Sequence, residues 1–223
     1  MSGERLLRAD LHTHTHYSLD SFTSPRRLVQ ECRRKGINCL AVTDHNTLRG
    51  ALAVREMADF PIIVGEEIRT ARGEILGLFL SEEVPRGLSP QETIERVKAQ
   101  GGLVGIPHPY DRQRGALWHE ESSRLVGQID FIEARNARII FPDGNGKARR
   151  FAQEHGLAMS AGSDAHSPWE VGRAYVEMRE FDGCQDFLQA LREGKLAGGL
   201  SSPLVHLFSR YALLRRKLGW RPA

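Results

Sequence analysis

Along the chain, short aliphatic or β-branched runs alternate with stretches whose apolar residues recur every three or four positions. The runs predict strands at Leu6–His14, Ile37–Thr43, Ile62–Arg69, Glu74–Leu80, Leu103–Pro107, Ile129–Arg135, Leu157–Gly162 and Arg173–Met178. Helices are predicted between most of them, over Pro25–Lys35, Leu48–Ala58, Pro90–Ala99, Asn145–His155 and Cys184–Arg192. "SPRRLVQE" and "SPQETIER" each open with an N-cap serine followed by proline at the first helical position. Gly36, Gly101 and Gly156 stand where a helix C-cap requires positive φ. Alternation sustained over the whole chain predicts a mainly parallel α/β fold. No repeat or low-complexity tract interrupts it, and "SEEVPRGLSP" (residues 81–90) reads as a loop inside a single domain spanning residues 1–223.

Composition adds little to that picture. The 223 residues are 40% hydrophobic, enough for a sizeable core, and 26% charged. No run approaches the roughly 18–20 apolar residues of a membrane span. The N-terminus, "MSGERLLRADLH", lacks the apolar stretch and cleavage site of a secretory leader. Cys32, Cys39 and Cys184 are scattered without CxxC spacing, as expected of reduced thiols. A cytoplasmic protein without a membrane partner is the expectation.

Charge changes the picture at one end. Residues 194–223 hold six basic side chains and no acidic one, so a total of +3 leaves the first 193 residues at −3. The basic segment, residues 200–223, either contacts an anionic partner or is a helix packed on the body through "LVHLF" and "YALL". In "SRYALLRRKLGW", Tyr211, Leu214 and Leu218 share one helical face, and that face is expected to do the packing.

The candidate chemistry begins in "ADLHTHTHYSLDS", where three of nine histidines fall within five residues. Residues two apart share a face of a strand, so His12 and His14 project together and can converge on one ion. "GSDAH" repeats the spacing with Asp164 and His166 after another apolar run. "LAVTDHN" ends a strand in Asp44 and His45, "VGEEI" places Glu66 and Glu67 after "PIIV", and "VGIPHP" supplies His108. Each lies at or near the carboxyl end of a predicted strand, the rim where parallel α/β folds assemble active sites.

"DLHTHTHYSLD", "TDH", "GEE", "PHP" and "GSDAH" resemble, in order, the motifs of the PHP superfamily, the polymerase and histidinol phosphatase domains. The resemblance implies a distorted (β/α)7 TIM-like barrel with two or three divalent ions (Mn, Zn, Fe or Mg) at the strand C-termini. By that resemblance His12, His14, Glu67 and Asp164 hold a first ion, Glu67 bridges to a second held also by His108, and His45, His166 and Asp20 take a third. Many members carry a further histidine where "RGEILGLF" aligns Glu74; a carboxylate there favours a harder ion such as Mn²⁺ or Mg²⁺. Asp44 is expected to orient an imidazole from behind. The implied activity is phosphoesterase hydrolysis of a phosphomonoester, a nucleotide or small organic phosphate, by a metal-activated hydroxide, with no further catalytic side chain assigned. Arg112, Arg114, Arg135 and Arg138 can supply cationic contacts, and Arg114 and Asn136 are favoured for the substrate.

Alternatives are an exonuclease acting on short oligonucleotide ends, amidohydrolase chemistry, and an inert metal-binding regulatory module. For the histidines outside the motifs, His16, His119, His155 and His206, surface or capping roles are the default expectation; alternatively His16 lines the pocket and His119 serves as leaving-group acid if its helix caps the site.

Overall fold

The structure, a computed structural model, describes residues 6–111, 122–141 and 143–219. Its strands are β1 (Leu7–Asp10), β2 (Cys39–Val42), β3 (Ile62–Thr70), β4 (Gly73–Leu78), β5 (Leu103–Ile106), β6 (Phe131–Asn136), β7 (Ala158–Gly162), β8 (Ala174–Met178) and β9 (Lys195–Gly198). The helices are α1 (Pro25–Lys35), α2 (Arg49–Arg55), α3 (Pro90–Ala99), α4 (Ser122–Leu125), α5 (Asp143–His155), α6 (Gly183–Glu193) and α7 (Val205–Lys217).

Local signals account for the best-defined helices. At α1, Ser24 Oγ accepts from Arg27 N, Pro25 opens the first turn, and Gly36 ends the helix at φ 70°. Such an N-cap contributes about 1 kcal/mol. At α3, Ser89 and Glu92 satisfy each other's backbone N–H groups in a capping box.

The strands are ordered β7-β6-β5-β4-β3-β2-β1-β8-β9. β8 holds one edge of β1 over Leu7, Arg8 and Ala9. Beyond Asp10 the chain stays extended and turns that edge to the end of β7: Leu11 N donates to Ala161 O at 3.1 Å, His14 N to Ala165 O at 3.0 Å, and Asp164 N to His12 O at 2.7 Å. β1 to β7 thereby close into a distorted barrel. Ala9, Ala41, Ile63, Leu76, Phe131 and Ala158 belong to one buried cluster that also takes Phe187 and Leu191 of α6. The alternate residues Leu40, Val64, Ile75, Val104 and Ile132 pack on Leu28 and Val29 of α1, Val54 of α2, and Ile94 and Val97 of α3. Glu67, Glu74 and Glu133 continue the first set by period-two spacing.

Three expectations change. Pairing is not mainly parallel, since β3–β4, β4–β5, β1–β8 and β8–β9 are antiparallel. Only Ala71 and Arg72 join β3 to β4, far too few residues for a parallel crossover. β1 ends at Asp10, so His12 and His14 lie on its extended continuation. β9 is an element the sequence does not predict: Lys195 and Gly198 are exposed and Leu196 and Ala197 half-buried, so no alternation marks it.

The C-terminal segment is tied back to the barrel by Arg135 Nη1 to Gly198 O at 2.6 Å and Ser201 N to Ala137 O at 2.7 Å. α7 follows, and its packing differs from expectation. Tyr211 and Leu214 are each 54% exposed and Leu218 is 78% exposed, so the face expected to pack is the outer one. The contacts to the body are Ser209 and His206 with Arg138, Arg216 with the His16 carbonyl, and Phe208 with Phe22 and Trp169. No helix among the described residues is long and apolar enough to cross a membrane.

Candidate metal centre

Among the described residues, five imidazoles and four carboxylates meet at one rim. Glu67, in the middle of β3, is at the centre. Its Oε2 lies 3.4 Å from His12 Nε2, 3.3 Å from His14 Nε2 and 3.1 Å from His45 Nδ1, and its Oε1 lies 3.0 Å from His108 Nε2. Asp164 Oδ1 is 3.5 Å from His14 Nε2 and 3.4 Å from His166 Nδ1. Asp20 Oδ2 joins the far side, 3.1 Å from His166 Nε2 and 3.4 Å from His45 Nε2. Glu74 Oε2 stands 3.8 Å from His108 Nε2. Glu74 reaches this rim because β4 runs antiparallel, so its first residues lie beside the end of β3.

Three overlapping groups present ligand atoms within 4.8 Å of one another: His12, His14 and Asp164; His14, His45 and His166; and His45, Glu67 and Glu74. The partners behind the rings fix which nitrogen faces inward. His12 Nδ1 donates to Glu133 Oε1 at 3.0 Å, His14 Nδ1 to Ser18 Oγ at 3.1 Å, and His166 Nδ1 to the Asp164 carbonyl at 2.8 Å. Each Nε2 is then left as an inward lone pair. His12 Nε2 and His14 Nε2 are only 3.1 Å apart, a repulsive arrangement unless a proton or a cation lies against both. Together with the surrounding carboxylates, this donor set fits divalent ions. The absence of cysteine and the mixture of nitrogen and oxygen donors match a hydrolytic rather than a closed structural site.

The electrostatics agree. Burial opposes charging His12, but Glu133, Asp164 and Glu67 outweigh it and hold its pKa well above the usual value. Burial likewise opposes ionising Glu67, yet His12 and His45 hold its carboxyl well below the usual range. His14 is pushed well down by burial and by His166 and His45. A pocket that charges one imidazole while neutralising its neighbour has a strong field, as functional sites do. Backbone strain is concentrated here too: His108 has φ 28° and Asp164 φ 53°, left-handed values for residues other than glycine. Such residues typically store about 1–3 kcal/mol that the surrounding fold must offset.

The residues behind the rim include ones that sequence reasoning passed over. Glu133 is 1% exposed; its Oε2 accepts from His108 N at 2.7 Å and Asn136 Nδ2 at 3.0 Å, so one carboxylate aligns both His12 and His108. A lone acid at an inward position of a buried strand was the available signal. Gly162 makes room for it, since a Cβ there would lie 2.3 Å from His12 Cβ and 2.8 Å from Glu133 Oε1. Asp44 does not touch an imidazole. It accepts from Thr15 N and Oγ1 and from Ser18 N and Oγ, and it orients His14 only through Ser18. Asn136, expected at the substrate, is fully buried, and its amide nitrogen donates to Glu133 and to Asp164 Oδ2 at 3.1 Å. It braces the rim instead. Arg112, Arg114 and His119 lie outside the described residues.

The rim opens into a cleft of about 1260 Å³ lined by Asp20, His45, Glu67, Glu74 and His166 and also by Arg49, Arg69, Arg72, Arg86 and Arg138. Arg138 is buried; its Nε is 3.1 Å from Glu170 Oε1, Nη1 donates to Asp164 O and Nη2 to Ser209 Oγ. His206, Ser209 and Leu213 of α7 form part of the wall, so His206 is not a surface residue here. His16 is half-buried with its ring edge-on to Tyr17, and His155 closes α5 against Phe151.

The family description "PHP domain" matches residues 10–106, and "PHP-associated" matches residues 142–196. An uncharacterised protein of Methanocaldococcus jannaschii is 45% identical over 145 residues, 59% of this chain and 82% of that one. The chain belongs to the PHP family. A two-domain protein of Bacteroides vulgatus, described as containing a predicted PHP-like metal-dependent phosphoesterase, superposes with a TM-score of 0.74 at 23% identity, over 89% of this PHP chain and 66% of that one. A 5'-3' exoribonuclease of Haemophilus influenzae is 30% identical over 140 residues, 54% of this chain and 50% of its own length.

Proposed function

We propose that the protein is a metal-dependent phosphoesterase that cleaves phosphomonoesters, with nucleotides as the favoured substrate class. The observation that carries this reading is the continuity of two chemistries in one cleft: a ring of inward imidazole and carboxylate donors, and arginines lining the space it opens into. Divalent ions held by His12, His14, His45, Glu67, His108, Asp164 and His166, with Asp20 and Glu74 at the edges, would supply Lewis acidity and an acidified water for attack on phosphorus. The chain's own part is to hold the ring rigid through Glu133, Ser18 and Asn136. Its arginines neutralise the phosphoryl oxygens, with Arg138 fixed beside His166 by Glu170 and Ser209. The description of the Bacteroides vulgatus protein as a predicted metal-dependent phosphoesterase supports the reaction class.

A second reading, cleavage at the ends of short oligonucleotides, draws on a separate observation. The cleft exceeds the roughly 300–1,000 Å³ of ordinary small-molecule pockets, and Arg69, Arg72 and Arg86 extend its cationic lining around β3 and β4. The likeness to an exoribonuclease points the same way.

The test is chelation followed by reloading with Mn²⁺, Mg²⁺, Zn²⁺ or Fe²⁺, assayed on p-nitrophenyl phosphate, mononucleotides and short 5'-phosphorylated oligonucleotides. Phosphate release that vanishes on chelation and returns with one of these ions is expected. Metal-reloaded protein that leaves every ester intact would overturn the phosphoesterase reading. A preference for oligonucleotides over mononucleotides would select the second reading.

A further inference from the structure

α7 has two chemically different sides. Ser209, His206 and Arg216 point to the body and bond it, and Ala212 between them is 2% exposed. On the opposite side Leu204, Leu207, Tyr211, Leu214 and Leu218 are 64%, 59%, 54%, 54% and 78% exposed. Their spacing is three, four, three, four. At 100° per residue they form a stripe about 80° wide, the narrow seam of a helix that packs on one other helix rather than the broad face of one that lies in lipid. Single exposed apolar residues need no explanation, but five in a continuous row do.

Charge decides what can cover this row. In heptad terms the seam occupies the a and d positions, and the flanking e and g positions over the helix are Phe208, Arg210, Arg215 and Lys217. Phe208 turns aside to pack on Trp169 and Phe22, which leaves the flanks cationic. Arg210 and Lys217 are exposed, Arg215 lies over the Tyr211 ring, and residues 194–223 contain no acid. A second copy of α7 would set arginine and lysine against arginine and lysine in either orientation.

We propose that the outer seam of α7 is a docking site for an amphipathic helix of a partner protein that carries leucine-like residues at its own a and d positions and Asp or Glu on its flanks. The inference does not depend on the reaction assigned to the cleft. Because the inner side of the same helix forms part of the cleft wall, such a partner would sit directly behind it.

The probe is a fluorescein-labelled helical peptide of about three heptads with Leu at a and d and Glu at e and g, compared with a peptide carrying Lys in place of Glu. Fluorescence anisotropy with the full chain is expected to show binding of the Glu peptide only, weakening between about 0.05 and 0.5 M salt. Binding should fall at least about tenfold in the double variant Leu207→Gln/Leu214→Gln. Both positions are exposed and neither lines the cleft, so circular dichroism and turnover of the variant should match the wild type. Equal binding of the two peptides, or of wild type and variant, would overturn the proposal. So would absence of peptide binding, whether accompanied by a wild-type dimer that the variant abolishes in sedimentation velocity or by variant-sensitive binding to phosphatidylserine vesicles.

Discussion

In the metal centre, His12, His14, Glu67 and Asp164 are charged or strongly polar side chains at most 1% exposed, whereas the outer seam of α7 leaves five large apolar side chains more than half exposed. Each region inverts the usual placement, and each does so for a different reason. Of these candidate ligands, Glu67 stands within β3 and His12, His14 and Asp164 just beyond the ends of β1 and β7, strands whose ladders hold the backbone regardless of what the side chains prefer. Glu133, Ser18 and Asn136 then satisfy the outward side of the ring, leaving the inward side for cations. α7 has no ladder. Three polar anchors hold it together with Phe208 and the buried Ala212, so the five residues of its outer seam take no part in its attachment and are free to serve another surface. Buried polarity of this kind marks the candidate site, and exposed apolarity marks the face proposed for a partner.

The sharpest way to break the comparison is to remove a ligand. His12→Ala takes away the imidazole that faces Glu67, His14 and Asp164 together. Bound metal, read by elemental analysis, and phosphoesterase turnover should fall together by more than about a hundredfold, exceeding the 10–100-fold usual for an outer partner. Full metal content with full turnover would remove His12 from the centre.

A smaller effect is expected one layer out. Glu133→Gln preserves shape but replaces the carboxylate that accepts from His12 and the His108 backbone. Metal affinity should drop about 10–100-fold while the melting temperature changes little. An unchanged metal titration would show that the ring orients itself without this carboxylate.

The smallest effect on activity concerns a buried acid outside the ring. Glu66 points away from the candidate ligands, accepts among the described residues from Val84 N at 2.9 Å, and burial pushes its carboxyl up to about 7. A carboxyl raised in the folded state is harmless while protonated. Its cost grows as pH rises from the unfolded value of about 4.5 toward 7, then stays constant. Glu66→Gln should therefore match the wild type near pH 4 and exceed it at pH 8 by about 3 kcal/mol, roughly 6–12 °C in thermal unfolding. A melting difference independent of pH would mean that Glu66 is not the ionising group.

What could be read without the structure was whatever depends on short spacing. The i, i+2 pairs at His12/His14 and Asp164/His166, the Ser-Pro helix starts and the glycine stops are local signals, and their residues stand together or in the elements expected. The strand-helix alternation sufficed for an α/β fold, and the distorted barrel was what the resemblance to the PHP motifs implied. Tertiary structure decided everything that depends on strand direction or on which face of an element is covered. Glu74 joins the rim only because β4 runs antiparallel. Glu133 becomes the shared brace of two ligands only because β6 lies beside β5 and near the end of β1. The seam of α7 faces outward because Ser209, His206 and Arg216 anchor the other side. A periodic pattern specifies that a face exists. Long-range hydrogen bonds, which no local spacing encodes, determine what that face meets.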